Sequence, residues 1–340
     1  MDLAAPLLKV RRSAAALSAI TTLSVAALVW AIVVTRPAPE PAMSITSPGI
    51  LYATPLARFV TNGSAIIAVG VPLFLLLLGA AGRREYETVS QRARLIGIAA
   101  GIAWVTATTT TWWLQAAAIS QSGSKMPFAG MASYAVAVTS GTALALTVLA
   151  AVAYTLAMLT RTPSSWPLVC FGLGLVGLVA VPVTGHASRG NARWLTTPAI
   201  TLHLCAVSLW VGGLALVTVL VAGNRSALSL VLPRFSTVAG GAIATVAVTG
   251  VLLAGPRLTK DVTPHLSVLL HALFETPAGW LVLGKLAGLT LLAATGGFIR
   301  QILLPAVRRK ETVALATLAT VELTVMAVTI AIATVLARPL

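Results

Sequence analysis

Residues 60–82 read VTNGSAIIAVGVPLFLLLLGAAG, an uncharged stretch that ends directly before Arg83 and Arg84. At about 1.5 Å per residue, a helix of this length crosses the roughly 30 Å hydrocarbon core of a bilayer. Comparable apolar stretches follow the chain at about 13–35, 95–119, 134–159, 166–184, 198–222, 235–255, 279–303 and 313–337. The sequence therefore predicts an all-α, polytopic transmembrane helix bundle with about nine spans.

The composition excludes a soluble globular protein. Of the 340 residues 58% are hydrophobic and only 9% are charged, and the mean hydropathy is +0.95. The connections between the spans are too short for a soluble domain, so we expect one membrane domain over 1–340, with a four-helix part at about 1–165 and a core at about 166–340. We find no phosphate-binding glycine loop and no nucleophile–base arrangement, and we therefore expect no enzymatic activity.

The net charge of +15 reflects membrane orientation rather than nucleic-acid binding. When the nine spans are laid out, fourteen Lys and Arg residues fall on the side of the N-terminus, eight fall on the other side, and Lys285 falls within a span. Basic residues favour the cytoplasmic side of a membrane. This bias predicts that the N-terminus is inside and the C-terminus outside, and the inverse orientation is the alternative.

The histidines and several methionines collect at the outer end of the predicted spans. A site that offers imidazole ligands and few carboxylates suits copper, zinc or haem iron. Thioether ligands favour copper, above all Cu(I). The residues concerned are His186, His203, His265, His271, Met43, Met126 and Met131. We therefore expect a metal site on the outer side.

His186 ends the fifth predicted span and His203 lies early in the sixth, so both are expected near the outer face on adjacent helices. Together they suit one metal ion or one face of a haem. The alternative is that both are interfacial histidines bonded to backbone carbonyls or water. His265 and His271 fall in the predicted outer loop 256–278, where solvated histidines are common.

Two charged residues lie inside predicted spans. Lys285 enters span eight from the outer side and Glu322 enters span nine from the inner side, so their depths are expected to converge near the bilayer centre. A lone charge there costs about 2.5–3.5 kcal/mol on insertion scales. The two residues therefore suggest either an ion pair or a polar path through the bundle.

Four segments together resemble the copper resistance protein D family (CopD, PcoD and the membrane part of YcnJ). These are Gly185-His186-Ala187, the run from His203 to Trp210-Val211-Gly212-Gly213, Thr276-x-x-Gly279 followed by Lys285, and Glu322. The resemblance covers about 170–338, and the earlier spans match in hydropathy only. It departs from the family at Ala278, where an aromatic residue is expected.

The resemblance implies a multi-pass protein of the bacterial cytoplasmic membrane that moves copper inward, beside a CopC-like external copper carrier or a CtaG-like oxidase assembly factor. His186 and His203 would take up Cu(I) or Cu(II), and Glu322, Lys285 and Trp210 would line the path. Two alternatives stay open. One is a membrane electron carrier with haem b, and the other is an assembly partner that delivers copper to cytochrome oxidase.

Overall fold

The computed structural model describes residues 4–35, 48–120, 127–160, 165–184, 193–259, 265–298 and 312–336. Within these ranges the chain is helical, with short turns and no strand, which confirms the all-α prediction. The helices are α1 Ala4–Thr35, α2 Pro48–Glu85, α3 Glu87–Ile119, α4 Phe128–Ala137, α5 Thr139–Leu159, α6 Trp166–Thr184, α7 Arg193–Val207, a π-helical turn Ser208–Gly212, α8 Gly213–Val221, α9 Arg225–Thr259, α10 Leu266–Glu275, α11 Pro277–Phe298 and α12 Thr312–Leu336.

Several of these helices are long and apolar enough to cross a bilayer. Among the described residues five meet that test: Tyr52–Glu85, Glu87–Ile119, Thr139–Leu159, Arg193–Val221 and Arg225–Pro256. The number rises to six if Leu266–Glu275 and Gly279–Leu291 form one broken span. The chain is therefore a multi-pass membrane protein, while the count of nine spans stays a prediction.

Three boundaries differ from those that hydropathy predicts. Helix α2 begins at Pro48, inside the predicted connector 36–59, because proline presets the helical φ and its missing N–H costs nothing in a first turn. The predicted span 134–159 is split at Val138, whose backbone is extended (φ −126°, ψ 124°). The predicted loop 256–278 contains α10, so His271 lies on a helix rather than in a loop.

The chain forms two compact units. One comprises Met1–Pro37 and Leu273–Arg338, with α1, α11 and α12, and the other comprises Ala38–Ala272, with α2 to α9 and most of α10. In the larger unit α2 is central, because it packs against α3, α6, α8, α9 and the π-helical turn. Its middle is correspondingly buried, with Val69, Phe74 and Leu75 wholly inaccessible.

Polar side chains link helices inside the larger unit. Thr61 of α2 and Thr111 of α3 share a hydrogen bond of 3.2 Å between their hydroxyls. The Thr147 hydroxyl of α5 donates to the carbonyl of Gly177 on α6 at 3.2 Å. In an apolar bundle such bonds fix which faces of neighbouring helices meet.

Candidate functional site

His203 is a buried histidine whose ring is held by a threonine on another helix. It lies on α7 with 5% of its surface exposed, and its Nδ1 lies 2.8 Å from Oγ1 of Thr249 on α9. The Thr249 oxygen also lies 2.5 Å from the carbonyl oxygen of Thr245, one turn earlier. Helices α7 and α9 pack along each other, so this bond joins two neighbouring spans.

These distances favour one tautomer of the His203 ring. A threonine hydroxyl has one hydrogen, and the short contact directs it to the Thr245 carbonyl. With the hydroxyl donating to that carbonyl, the oxygen of Thr249 accepts from His203, an assignment that places the proton on Nδ1. Histidines that bind metals show this arrangement, in which the nitrogen away from the metal donates to a neighbouring group.

His203 lies well inside its helix. Helix α7 begins at Arg193, about a turn before the predicted start of the span at 198. His203 therefore lies about 15 Å along the helix from Arg193. It stays in the first half of the span Arg193–Val221, but it is well inside the helix rather than at its end.

Small residues and an apolar groove surround this position. A Cβ at Gly250 of α9 would lie 3.8 Å from Cε1 of His203, so the ring lies beside the backbone of α9. On the open side of the same helix pair, Thr245 and Thr249 line a groove whose other walls are apolar. The sequence analysis missed Thr249, because a threonine in a span most often bonds its own helix backbone and no spacing distinguishes this one.

The remaining metal-ligand candidates do not assemble around His203. His265 and His271 are both exposed, and Met131 is buried in α4 with 6% of its surface accessible. His186, Met43 and Met126 lie outside the described residues. Within the described ranges no three His, Cys, Asp or Glu side chains come together as a metal cluster. His203 is thus the buried imidazole that the structure describes.

Trp210 lies in the π-helical turn and is 7% exposed. Gly212, which follows Trp210 by two residues, allows close packing of the helices. A Cβ at this position would lie 2.4 Å from the backbone oxygen of Ile66 on α2. A Cβ at Gly70 would in turn lie 2.6 Å from the carbonyl carbon of Gly212. The two helix backbones therefore touch here. π-Helical turns of this kind are frequent at functional sites.

Helices α11 and α12 of the smaller unit pack in antiparallel register. A Cβ at Gly288 would lie 2.6 Å from Oγ1 of Thr329, and a Cβ at Gly284 would lie 3.9 Å from the end of the Ile332 side chain. The two contacts show that residue numbers increase along α12 in the direction in which they decrease along α11. Lys285, next to Gly284, is accordingly level with Ile332.

This register corrects the predicted convergence of Lys285 and Glu322. Glu322 lies ten positions before Ile332 on α12, which is about 15 Å along the helix axis. That separation exceeds the reach of a direct ion pair. Of the two interpretations left open by the sequence, the ion pair between Lys285 and Glu322 therefore does not fit. Glu322 is nevertheless 6% exposed, near the middle of α12, and its role in a polar path stays a prediction.

The Thr276-x-x-Gly279 motif has a structural explanation. Oγ1 of Thr276 accepts a hydrogen bond from the backbone N–H of Gly279 at 3.0 Å. Thr276 therefore caps the N-terminus of α11, and Pro277 occupies the first helical position. A Ser or Thr followed by Pro is a recognisable signal for such a cap.

Two family models match the chain. One, described as copper resistance protein D, matches residues 229–336, and the other, described as copper resistance protein D-like N-terminal domain, matches residues 49–194. The second match covers helices for which the sequence resemblance rested on hydropathy alone. His186, Lys285 and Glu322 fall within the matched ranges, whereas His203 and Trp210 fall between them. No curated protein and no solved structure matches the chain.

Proposed function

Because the chain belongs to the copper resistance protein D family, we propose that it imports copper across the bacterial cytoplasmic membrane. The observation that supports this proposal best is the hydrogen bond of 2.8 Å between His203 and Thr249, which holds a buried imidazole between two neighbouring spans. Imidazole nitrogen binds copper in either oxidation state. Copper is the cargo, and no chemical transformation of a substrate is proposed.

In this proposal His186 and His203 take up copper from the periplasmic side, where a CopC-like carrier delivers it. His265 and His271 are exposed and would act, together with Met126, as weaker collecting groups. The basic-residue bias supports an N-in, C-out orientation. A cation that moves inward is then driven by the membrane potential, at about 2.3 kcal/mol per charge and 100 mV.

Glu322 is the proposed acid of the path. A carboxylate in the middle of α12 stabilises a passing cation, or takes up a proton as the cation leaves. Lys285 lies about 15 Å from Glu322 along the helix axis, so the two residues act separately. The positive charge of Lys285 would repel a second cation at its own level in the path. Trp210 lines the path at the π-helical turn.

Copper uptake into proteoliposomes tests the proposal. Purified protein is reconstituted, copper is added outside, and internal copper is measured after a chelator wash. We expect protein-dependent uptake that falls at least tenfold in His203→Ala and is unchanged in Cys205→Ala, a matched control on the same helix. Equal uptake in wild type and His203→Ala would contradict the role of His203.

The same preparation separates the other two functions considered for this sequence. A haem carrier would show b-type absorbance bands that change on reduction, and copper import predicts a purified protein without these bands. An oxidase assembly partner would, when deleted, lower oxidase copper without lowering cellular copper uptake. Import predicts the opposite result: deletion of the protein would lower cellular copper uptake first.

A further inference from the structure

Helix α10, Leu266–Glu275, is too short to cross a bilayer. Its ten residues extend about 15 Å, which is half the thickness of the hydrocarbon core. Helix α11, Pro277–Phe298, has 22 residues, and Lys285 is its single charged residue. Its length of about 33 Å is sufficient for a crossing of its own. A crossing by α11 therefore does not need α10.

The two helices meet at a right angle. The direction of the chain changes by 90° between Leu266–Glu275 and Gly279–Leu291. Thr276 caps the start of α11, and the indole Nε1 of Trp280 donates to the carbonyl of Phe274 in the last turn of α10 at 2.8 Å. This bond satisfies a carbonyl at the helix end and holds the corner. With α11 across the membrane, α10 lies parallel to the membrane surface.

One side of α10 is apolar and exposed. Leu266, Leu270 and Phe274 follow each other at intervals of four residues, so their side chains share one face. They expose 70, 45 and 58% of their surface, respectively. Large apolar side chains at a membrane boundary are stabilised by contact with acyl chains, whereas on a helix surrounded by water they would gain nothing.

The adjoining side of α10 is polar. Ser267, His271 and Glu275 also recur every four residues, about 100° around the helix from the apolar face, and all three are exposed. Val268 is an exposed apolar residue at the edge of this side, and Ala272, on the remaining side, is buried. Helix α10 thus has separate sides suited to lipid, to water and to protein, which is typical of a helix that lies in a membrane interface.

We propose that α10 is an interfacial helix that inserts the face formed by Leu266, Leu270 and Phe274 into the lipid leaflet at the start of α11. The partner is the phospholipid surface, because the corner held by Trp280 places this exposed face next to the membrane that α11 enters. Trp280 is itself exposed, and an indole at this level is a common interfacial anchor. Helix α10 has no Lys or Arg, so its insertion depends on apolar contact rather than on anionic headgroups.

The interfacial position of α10 determines where His271 lies. Its imidazole is on the polar side of the helix, so it faces the water above the leaflet and not the acyl chains. The chain also enters and leaves α10 on the same face of the membrane. The position of α10 in lipid does not depend on copper import and would be the same for any cargo.

Spin-label accessibility in liposomes tests the position of α10. Each residue from 266 to 275 is changed to cysteine, one at a time, in a full-length chain with Cys170→Ala and Cys205→Ala, and the labelled protein is reconstituted in phosphatidylcholine vesicles. Oxygen concentrates in the acyl region, and a neutral nickel chelate stays in water. We expect labels at 266, 270 and 274 to collide mainly with oxygen at one shared depth, about 5–10 Å into the interface. Labels at 267, 271 and 275 should collide mainly with the nickel chelate.

Three results would overturn the proposal. A depth that increases by about 1.5 Å per residue, or about 12 Å from 266 to 274, would show that α10 enters the membrane as part of a span. Nickel access at 266, 270 and 274 would show that the apolar face lies in water. Low access of both reagents at these positions would show that protein, such as a second copy of the chain, covers the face.

A charge substitution provides a second test that keeps both native cysteines. Leu270→Glu places a carboxylate on the apolar face, and Ser267→Glu places one on the polar face as the matched control. In phosphatidylcholine nanodiscs Leu270→Glu should lower the unfolding temperature by at least about 2 °C relative to Ser267→Glu, because a charge on that face loses hydration in the lipid. Equal unfolding temperatures, or a higher one for Leu270→Glu, would contradict the insertion of this face.

Discussion

His203 and Thr249 are joined by a hydrogen bond of 2.8 Å whose direction is set by a third residue, Thr245. In the proposed copper site the threonine would act only through the histidine, because it holds the ring. It is therefore a positioning residue. Partners of this kind are worth about 10–100-fold in metal affinity when they are removed.

We accordingly expect Thr249→Val to lower copper affinity about 10–100-fold. Valine has nearly the same shape but cannot accept from Nδ1, so the buried ring loses its partner. Thr249→Ser keeps the hydroxyl and should stay close to wild type. Competition titration with a copper chelator measures both variants, and equal affinity in Thr249→Val and Thr249→Ser would show that the bond has no bearing on binding.

Gly212→Ala should destabilise the protein by about 1–3 kcal/mol, because the new methyl group would overlap the backbone of α2. Gly241 of α9 is the matched control, since a Cβ there meets nothing within 4 Å. Gly241→Ala should be neutral or stabilise by up to about 1 kcal/mol through better helix propensity. Thermal unfolding in detergent compares the two, and a Gly212→Ala melting point at or above that of Gly241→Ala would refute the close contact.

Glu322→Gln should fold and insert normally but lose copper flux, and adding Lys285→Met should not restore it. The two residues are about 15 Å apart along the packed helices, so their effects on stability should add within about 0.3–0.5 kcal/mol. Folded yield, unfolding temperature and proteoliposome uptake are measured for both single variants and the double variant. Rescue of flux in the double variant would instead indicate a functional ion pair.

Sidedness is tested by labelling single cysteines in a chain that also carries Cys170→Ala and Cys205→Ala. His265 and Arg84 are both exposed, and the basic-residue bias assigns them to opposite faces. A membrane-impermeant maleimide added to intact cells should label His265→Cys and not Arg84→Cys. Labelling of Arg84→Cys alone would establish the inverse orientation.

Hydropathy predicted the bounds of helices correctly where an apolar stretch has clear ends. The predicted stretch 166–184 coincides with α6, and 313–337 is one residue from α12. It failed where a helix continues without a long apolar run. Residues 48–59 are helical although they contain two prolines and Arg58, and α10 is too short to register as a span. The π-helical turn leaves no mark in hydropathy, because it changes hydrogen bonding rather than composition.

The candidate site was only partly predictable. Imidazole chemistry identified His203, but its partner Thr249 is 46 residues away in sequence, and only packing brings the two together. The depths of Lys285 and Glu322 were misjudged because span ends read from hydropathy are uncertain by several residues.

The touching backbones at Gly70 and Gly212 have a mechanical consequence. Side-chain layers between helices can shear or repack, but two backbones in contact leave nothing to compress. Both glycines lie in the interior of their spans, so any tilt of one helix against the other would pivot at this point. A tilt of about 5° there displaces an end some 20 Å away by about 2 Å, roughly the size of a desolvated metal ion. In the copper import proposed above, opening alternately toward the two faces of the membrane would take the form of α2 tilting against the Arg193–Val221 span, without separation of the two.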